Sequence, residues 1–148
     1  MTLVFKFLAI SGSAMFAGVM LAIGVILGGY WKSLPPAEFL DWFHQHSHLV
    51  MRAIPMVVVP SLIGLAGTLW LAWSDAQTRS IWLGAAACIG AVLVITVAYY
   101  VPSNAVFAAK SVPLDQVAAK LDTWLPIHNL RIALAILTSA LGVWAISR

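Results

Sequence analysis

Charge is what this sequence has least of. Only 9% of its 148 residues are Asp, Glu, Lys or Arg, against 62% hydrophobic. A soluble domain carries roughly 25% charge, so the chain is expected to live in a membrane. Eight Lys and Arg against five Asp and Glu leave a net charge of +3. That excess is modest and spread along the chain, which argues against a nucleic-acid partner. A single cysteine, Cys88, excludes a disulfide framework and a thiolate metal cluster; inside an apolar run it reads as a small core residue. There is no internal repeat, heptad series or low-complexity tract.

What the chain does have is long apolar runs. Four of them, at roughly 7–30, 49–73, 80–101 and 125–146, reach the ~20 residues needed to cross a bilayer as a helix. The first is too long for the apolar core of a cleaved signal peptide, about 7–15 residues. Tryptophans mark the edges, with Trp31, Trp42 and Trp124 at one side and Trp70, Trp73, Trp82 and Trp144 at the other, an aromatic belt. The expected fold is an all-α, antiparallel four-helix transmembrane bundle, one domain over 1–148, with two longer connections (31–48 and 102–124) on the same side. Both connections read as interfacial amphipathic pieces, and Pro102-Ser103-Asn104 reads as the end of the third span. Lys6, Arg79 and Arg148 with Asp75 mark the side of the termini. Lys32, Lys110 and Lys120 with four acids mark the other. The net positive short-loop side favours a plasma (inner) membrane protein with cytoplasmic termini. Ala14, Gly18 and Ala22, continued by Gly24 and Gly28, form a small-residue stripe suited to close helix packing. Pro55 and Pro60 in the second span either open room for a cavity or serve packing alone.

The polar residues that a lipid-facing helix would not carry gather at the long-connection end. His44, His48 and Arg52 stand at i, i+4 and i+8, one face of a helix. Trp124, His128 and Arg131 form a second such stripe at the start of the fourth span, beside Asn129. Asn104 closes the third span at the same level, with Tyr30, Tyr99 and Tyr100 near in depth. A charged side chain inside a span costs about 2.5–3.5 kcal/mol and is a functional candidate by default. The plainer readings are that Arg52 snorkels to the headgroups, that His44 and His46 are solvated at the interface, and that Asn104 caps or turns the chain.

One kind of chemistry fits the histidines directly: in a redox module, His44, His46, His48 and His128 would hold copper, iron or haem, histidine being the commonest metal ligand.

The run Val101-Pro102-Ser103-Asn104, followed by Trp124-x-x-x-His128-Asn129-x-Arg131, resembles a family of small four-span membrane proteins that includes the fungal anthrone oxygenases. Pro102, Asn104, Trp124, Asn129 and Arg131 carry the likeness. His128 stands where an aromatic residue is expected, and the His44-Gln45-His46-Ser47-His48 run lies outside the pattern. The resemblance implies oxygen insertion into a flat, lipophilic polyaromatic ketone by dioxygen, with no cofactor expected. In that reading His128, Arg131 and His48 are catalytic candidates. Asn104, Asn129, Trp124, Arg52, Tyr99 and Trp42 are substrate-binding candidates. The partners are the lipid bilayer and a hydrophobic small molecule, and a homo-oligomer is left open. A third reading is non-enzymatic, with Arg131 and Asn129 acting as structural glue between helices.

Overall fold

Four helices account for nearly all of residues 1–148 in the computed structural model: α1 (Thr2–Ser33), α2 (Pro36–Leu71), α3 (Ala76–Ala108) and α4 (Leu114–Ile146). Each is long and apolar enough to cross a membrane. At 1.5 Å per residue they run about 50 Å, against ~30 Å of bilayer hydrocarbon. The bundle therefore extends well beyond the lipid core. Its lower end holds both termini and the α2–α3 turn. Its upper end holds the other two joints.

The four-helix bundle is as expected, but the helices are longer and the connections shorter. Residues 36–48 are the first turns of α2, 102–108 the last turns of α3, and 114–124 the first turns of α4. Neither long connection is a separate interfacial helix. The reason lies in the prolines. Pro35 and Pro36 occupy the N-cap and first position of α2, where a missing N–H costs nothing. Pro102 lies two residues past the end of a π-helical turn, Thr96–Tyr100, where the α-helical ladder is already interrupted, so α3 runs on past it. Lys110, at φ 53°, makes the left-handed turn that ends α3.

α1 packs between α2 and α4, and α3 packs on α4. The α1–α2 contact is made by small residues. A Cβ on Gly64 would fall 2.1 Å from the Ala9 nitrogen, and one on Gly12 would fall 2.6 Å from the Ser61 nitrogen. Ser13 and Ser61 hydroxyls meet at 2.6 Å in the same contact. The stripe expected to pack does so only in part. Ala14, Gly18 and Ala22 are exposed, because α1 turns its bulkier Phe16 and Met20 inward. Gly24 and Gly28 do face α4, against His128 and Leu125.

At the upper end Trp31, Phe39, Phe43 and Phe107 pack with ring centroids 5.1–6.0 Å apart. Lys32–Asp122 at 2.6 Å and Lys110–Asp41 at 2.5 Å tie the helix ends together from outside. At the lower end Asp75 caps α3, accepting from the Gln77 N–H at 3.2 Å and from the Thr78 hydroxyl. The Thr78 hydroxyl, with the backbone N–H groups, holds the Asp75 carboxyl below its ordinary range.

Candidate functional site

A cavity of about 390 Å³ lies among all four helices towards the upper end. Its wall is mostly apolar, and its only ionisable side chains are Tyr100, His128 and Arg131. Both π-helical turns of the bundle reach it. Ile23 comes from the turn Ile23–Leu27 in α1, and Thr96 and Tyr100 come from the turn in α3. Such turns shift the register of a helix and recur at functional sites.

Trp124, His128 and Arg131 stand at helical spacing on one face of α4 and share the same wall. The His128 ring lies over Trp124, centroids 4.8 Å apart and planes at 17°. His128 Nε2 donates to the Met20 carbonyl at 2.8 Å. A carbonyl only accepts, so the proton sits on Nε2 and Nδ1 presents its lone pair. That lone pair faces Arg131 Nη1 at 3.5 Å. Gly24 makes room for the ring; a Cβ there would sit 3.0 Å from His128 Cδ2.

Arg131 is 4% exposed. Its guanidinium lies 4.0 Å from the centre of the Tyr100 ring, and its Nε has no partner. No carboxylate reaches it: the two ion pairs of the chain join exposed Lys and Asp elsewhere. Here a buried cation faces an apolar cavity with an aromatic ring and an imidazole for company, and no anion.

Neutral donors complete the wall. Tyr100 donates its hydroxyl to the Trp124 carbonyl at 2.8 Å. Trp124 Nε1 donates to Asn104 Oδ1 at 3.0 Å, which turns the Asn104 amide so that its NH₂ is free. Trp31, 3% exposed, leaves its Nε1 unpartnered.

Of the candidate catalytic and substrate-binding residues, Asn104, Trp124, His128 and Arg131 line this cavity, and Pro55 and Tyr100 line it too. The others do not. His48 and Arg52 are exposed on α2, each one residue past Ser47 and Met51, which do face the cavity; one residue is 100° of rotation. Asn129 is carried outward from His128 in the same way and is exposed. Tyr99 lines a separate hollow with Lys120 and Thr123. Trp42 stacks on His46, centroids 5.0 Å apart, outside the cavity wall.

The four histidines of the metal reading have separate environments. His44 Nδ1 donates to the Ala108 carbonyl at 2.7 Å, and His46 Nδ1 donates to the Trp42 carbonyl at 2.9 Å. His48 is exposed, and His128 is engaged as above. No three His, Cys, Asp or Glu side chains gather at metal-binding distance. Met20 and Trp31 carry no sequence signal for this site, and the sequence places Tyr100 near it only in depth, without a role. The Gly24–Gly28 spacing was the one sequence signal pointing to α1, and choosing Tyr100 over Tyr99 requires the rotation of α3.

A sequence profile of the anthrone oxygenase family matches residues 39–141, which is most of the chain. The chain belongs to the anthrone oxygenase family. Every cavity residue on α2, α3 and α4 falls inside the matched stretch, while Met20, Ile23 and Trp31 of α1 precede it. No curated protein and no solved structure matches the chain.

Proposed function

We propose that this anthrone oxygenase family member oxygenates a flat, lipophilic, hydroxylated aromatic ketone with dioxygen, using side chains alone. The observation that carries the reading is the buried Arg131 guanidinium, without a carboxylate partner, on the wall of an apolar cavity. A site of this kind favours a ligand that brings its own negative charge. An enolate oxygen, developing as a C–H proton leaves, supplies it.

In the reaction, the ketone's acidic methylene gives a proton to His128 Nδ1, the one imidazole lone pair on the cavity wall. Arg131 exchanges its long contact with that nitrogen for the enolate oxygen, which frees the base as the anion forms. The Asn104 NH₂ and Trp31 N–H are further donors to oxygens on the ring system, and Trp124 and Tyr100 supply aromatic faces. The enolate then passes an electron to dioxygen, and C–O bond formation gives a peroxide at the former methylene carbon. Loss of water leaves a carbonyl there, so CH₂ and O₂ become C=O and H₂O. His48, Arg52, Asn129, Tyr99 and Trp42 have no part in this scheme, because they do not line the cavity. In this reading the termini lie on the cytoplasmic side of the plasma membrane, supported by the net positive charge of the short-loop side.

The test is quinone formation from 1,8-dihydroxy-9-anthrone under air by the full chain in lipid vesicles, corrected for empty vesicles. Arg131→Ala and His128→Ala are each expected to lower the rate by about 10²–10³-fold, while His48→Ala keeps it. Wild-type rates in both cavity variants would remove the assignment.

A further inference from the structure

The floor and the rim of the cavity come from different helices. α1 and α4 supply the floor, where Met20, Trp31, His128 and Arg131 are all 4% exposed or less. α2 and α3 supply the rim, where Met51 is 51% and Val101 52% exposed. α2 is not packed closely on the π-helical turn Thr96–Tyr100 of α3. A slot therefore opens sideways between α2 and α3, at the level of Arg131.

Above the cavity the bundle is closed. The Trp31, Phe39, Phe43 and Phe107 cluster fills the upper end, and Val112, Val117 and Leu121 are buried beneath the α3–α4 joint. The height of the slot follows from helix lengths. Counting about 20 residues, the thickness of the hydrocarbon, upwards from the lower ends of α2 at Leu71 and α4 at Ile146 reaches Met51 and Pro126. The rim thus lies where acyl chains meet headgroups, facing lipid. His48 and Arg52, both exposed, stand on the flank of α2 next to this rim, at the depth of lipid phosphates. An amphiphile with one acidic oxygen takes up the same depth in a bilayer, its rings in the acyl region and its oxygen towards the headgroups.

We infer that the slot between α2 and α3 is a lateral portal, through which a flat aromatic amphiphile passes from the interfacial zone of the bilayer to Arg131, with Met51 and Val101 as its rim. The chemistry of the cargo rests on the proposed function; the position of the slot does not.

Two measurements on the full chain in phosphatidylcholine vesicles test this. The first is stopped-flow binding of 1,8-dihydroxyanthraquinone, an unreactive probe, followed by quenching of tryptophan fluorescence. Met51→Tyr and Val101→Tyr narrow the portal without touching the floor. They are expected to slow association and dissociation together, by about tenfold, with little change in Kd. Ile136→Tyr, on a 51% exposed site of α4 away from the cavity, is expected to behave as wild type. Rim variants that bind and release at wild-type rates would overturn the portal, even if Arg131→Gln still lost affinity.

The second measurement needs no ligand. A nitroxide on Met51→Cys, in a Cys88→Ala chain, is expected to be relaxed more by dissolved oxygen, which concentrates in lipid, than by a water-soluble nickel chelate. The reverse order would place the rim in water and overturn the portal. Failure of the wild type to bind the probe would count against the proposed substrate class, and the nitroxide result would then decide the portal alone.

Discussion

Replacing Arg131 by methionine separates a site residue from a structural one. An ionised side chain at this depth costs about 2.5–3.5 kcal/mol. The structure returns only part of that. The face of Tyr100 at 4.0 Å gives about 2 kcal/mol for a desolvated cation–π contact. The 3.5 Å approach to His128, three residues away on the same helix, is at the limit of a hydrogen bond, and such i,i+3 pairs contribute about 0.2–0.5 kcal/mol. The unpartnered Nε returns nothing. Methionine has a similar reach and fills irregular apolar space well, but it leaves His128 Nδ1 without a donor. The balance is a change in stability between zero and a gain of about 1 kcal/mol. The assay is equilibrium unfolding in mixed micelles, titrating dodecyl sulfate and following far-ultraviolet circular dichroism. If Arg131 held the helices together, the same change would lose about 2 kcal/mol or more, because it would break an interhelical network. Destabilisation of that size would refute the reasoning that this guanidinium awaits a ligand.

Two further outcomes follow from the packing and from the lower turn. Gly64→Ala drives a Cβ into the backbone of α1, an overpacking cost of about 1–3 kcal/mol. Gly18→Ala meets nothing within 4 Å and gains helix propensity of up to ~1 kcal/mol. The propensity gain is common to both, so the two variants should differ by the overpacking cost, about 1–3 kcal/mol, in the same unfolding assay, and equal stabilities would contradict the α1–α2 contact. The Asp75 cap is pH-dependent. Its folded carboxyl, held low chiefly by the Thr78 hydroxyl, titrates below the ordinary value of 3.8. The cap's contribution is complete above that value and is lost as pH falls through the lowered one. Amide exchange at Gln77 and Thr78 should accelerate relative to the rest of α3 only in that acid range, and Asp75→Asn should abolish the pH dependence.

Composition and apolar run length were enough to read the number of helices and their membrane setting, because the bilayer demands ~20 apolar residues whatever the partner helix does. Helix ends were harder. Pro102 reads as the end of a span, yet in the structure it sits beside a π-helical turn and the helix runs on, while Pro35 and Pro36 start a helix inside the stretch expected to be a connection. Within the site, the Trp124, His128 and Arg131 stripe was legible because it lies on a single helix, where spacing alone sets the face. Asn104 was legible from its depth. His48 and Arg52 also share a face, but which way α2 turns that face depends on how Ser61 and Gly64 seat against α1, and no local pattern states it. Asn129 shows the same limit at single-residue scale: it adjoins His128 in sequence and lies 100° away around the helix.

The central claim is that Arg131 exists to hold an anion formed from the substrate. Its most direct test is the absorption spectrum of 1,8-dihydroxy-9-anthrone bound to the protein in vesicles, recorded without oxygen so that no turnover occurs. The bound ligand is predicted to show its enolate band at a pH where the free compound remains the ketone, and Arg131→Met should abolish that band. A bound ligand that stays in the ketone form, or an enolate band that survives in Arg131→Met, would contradict the account.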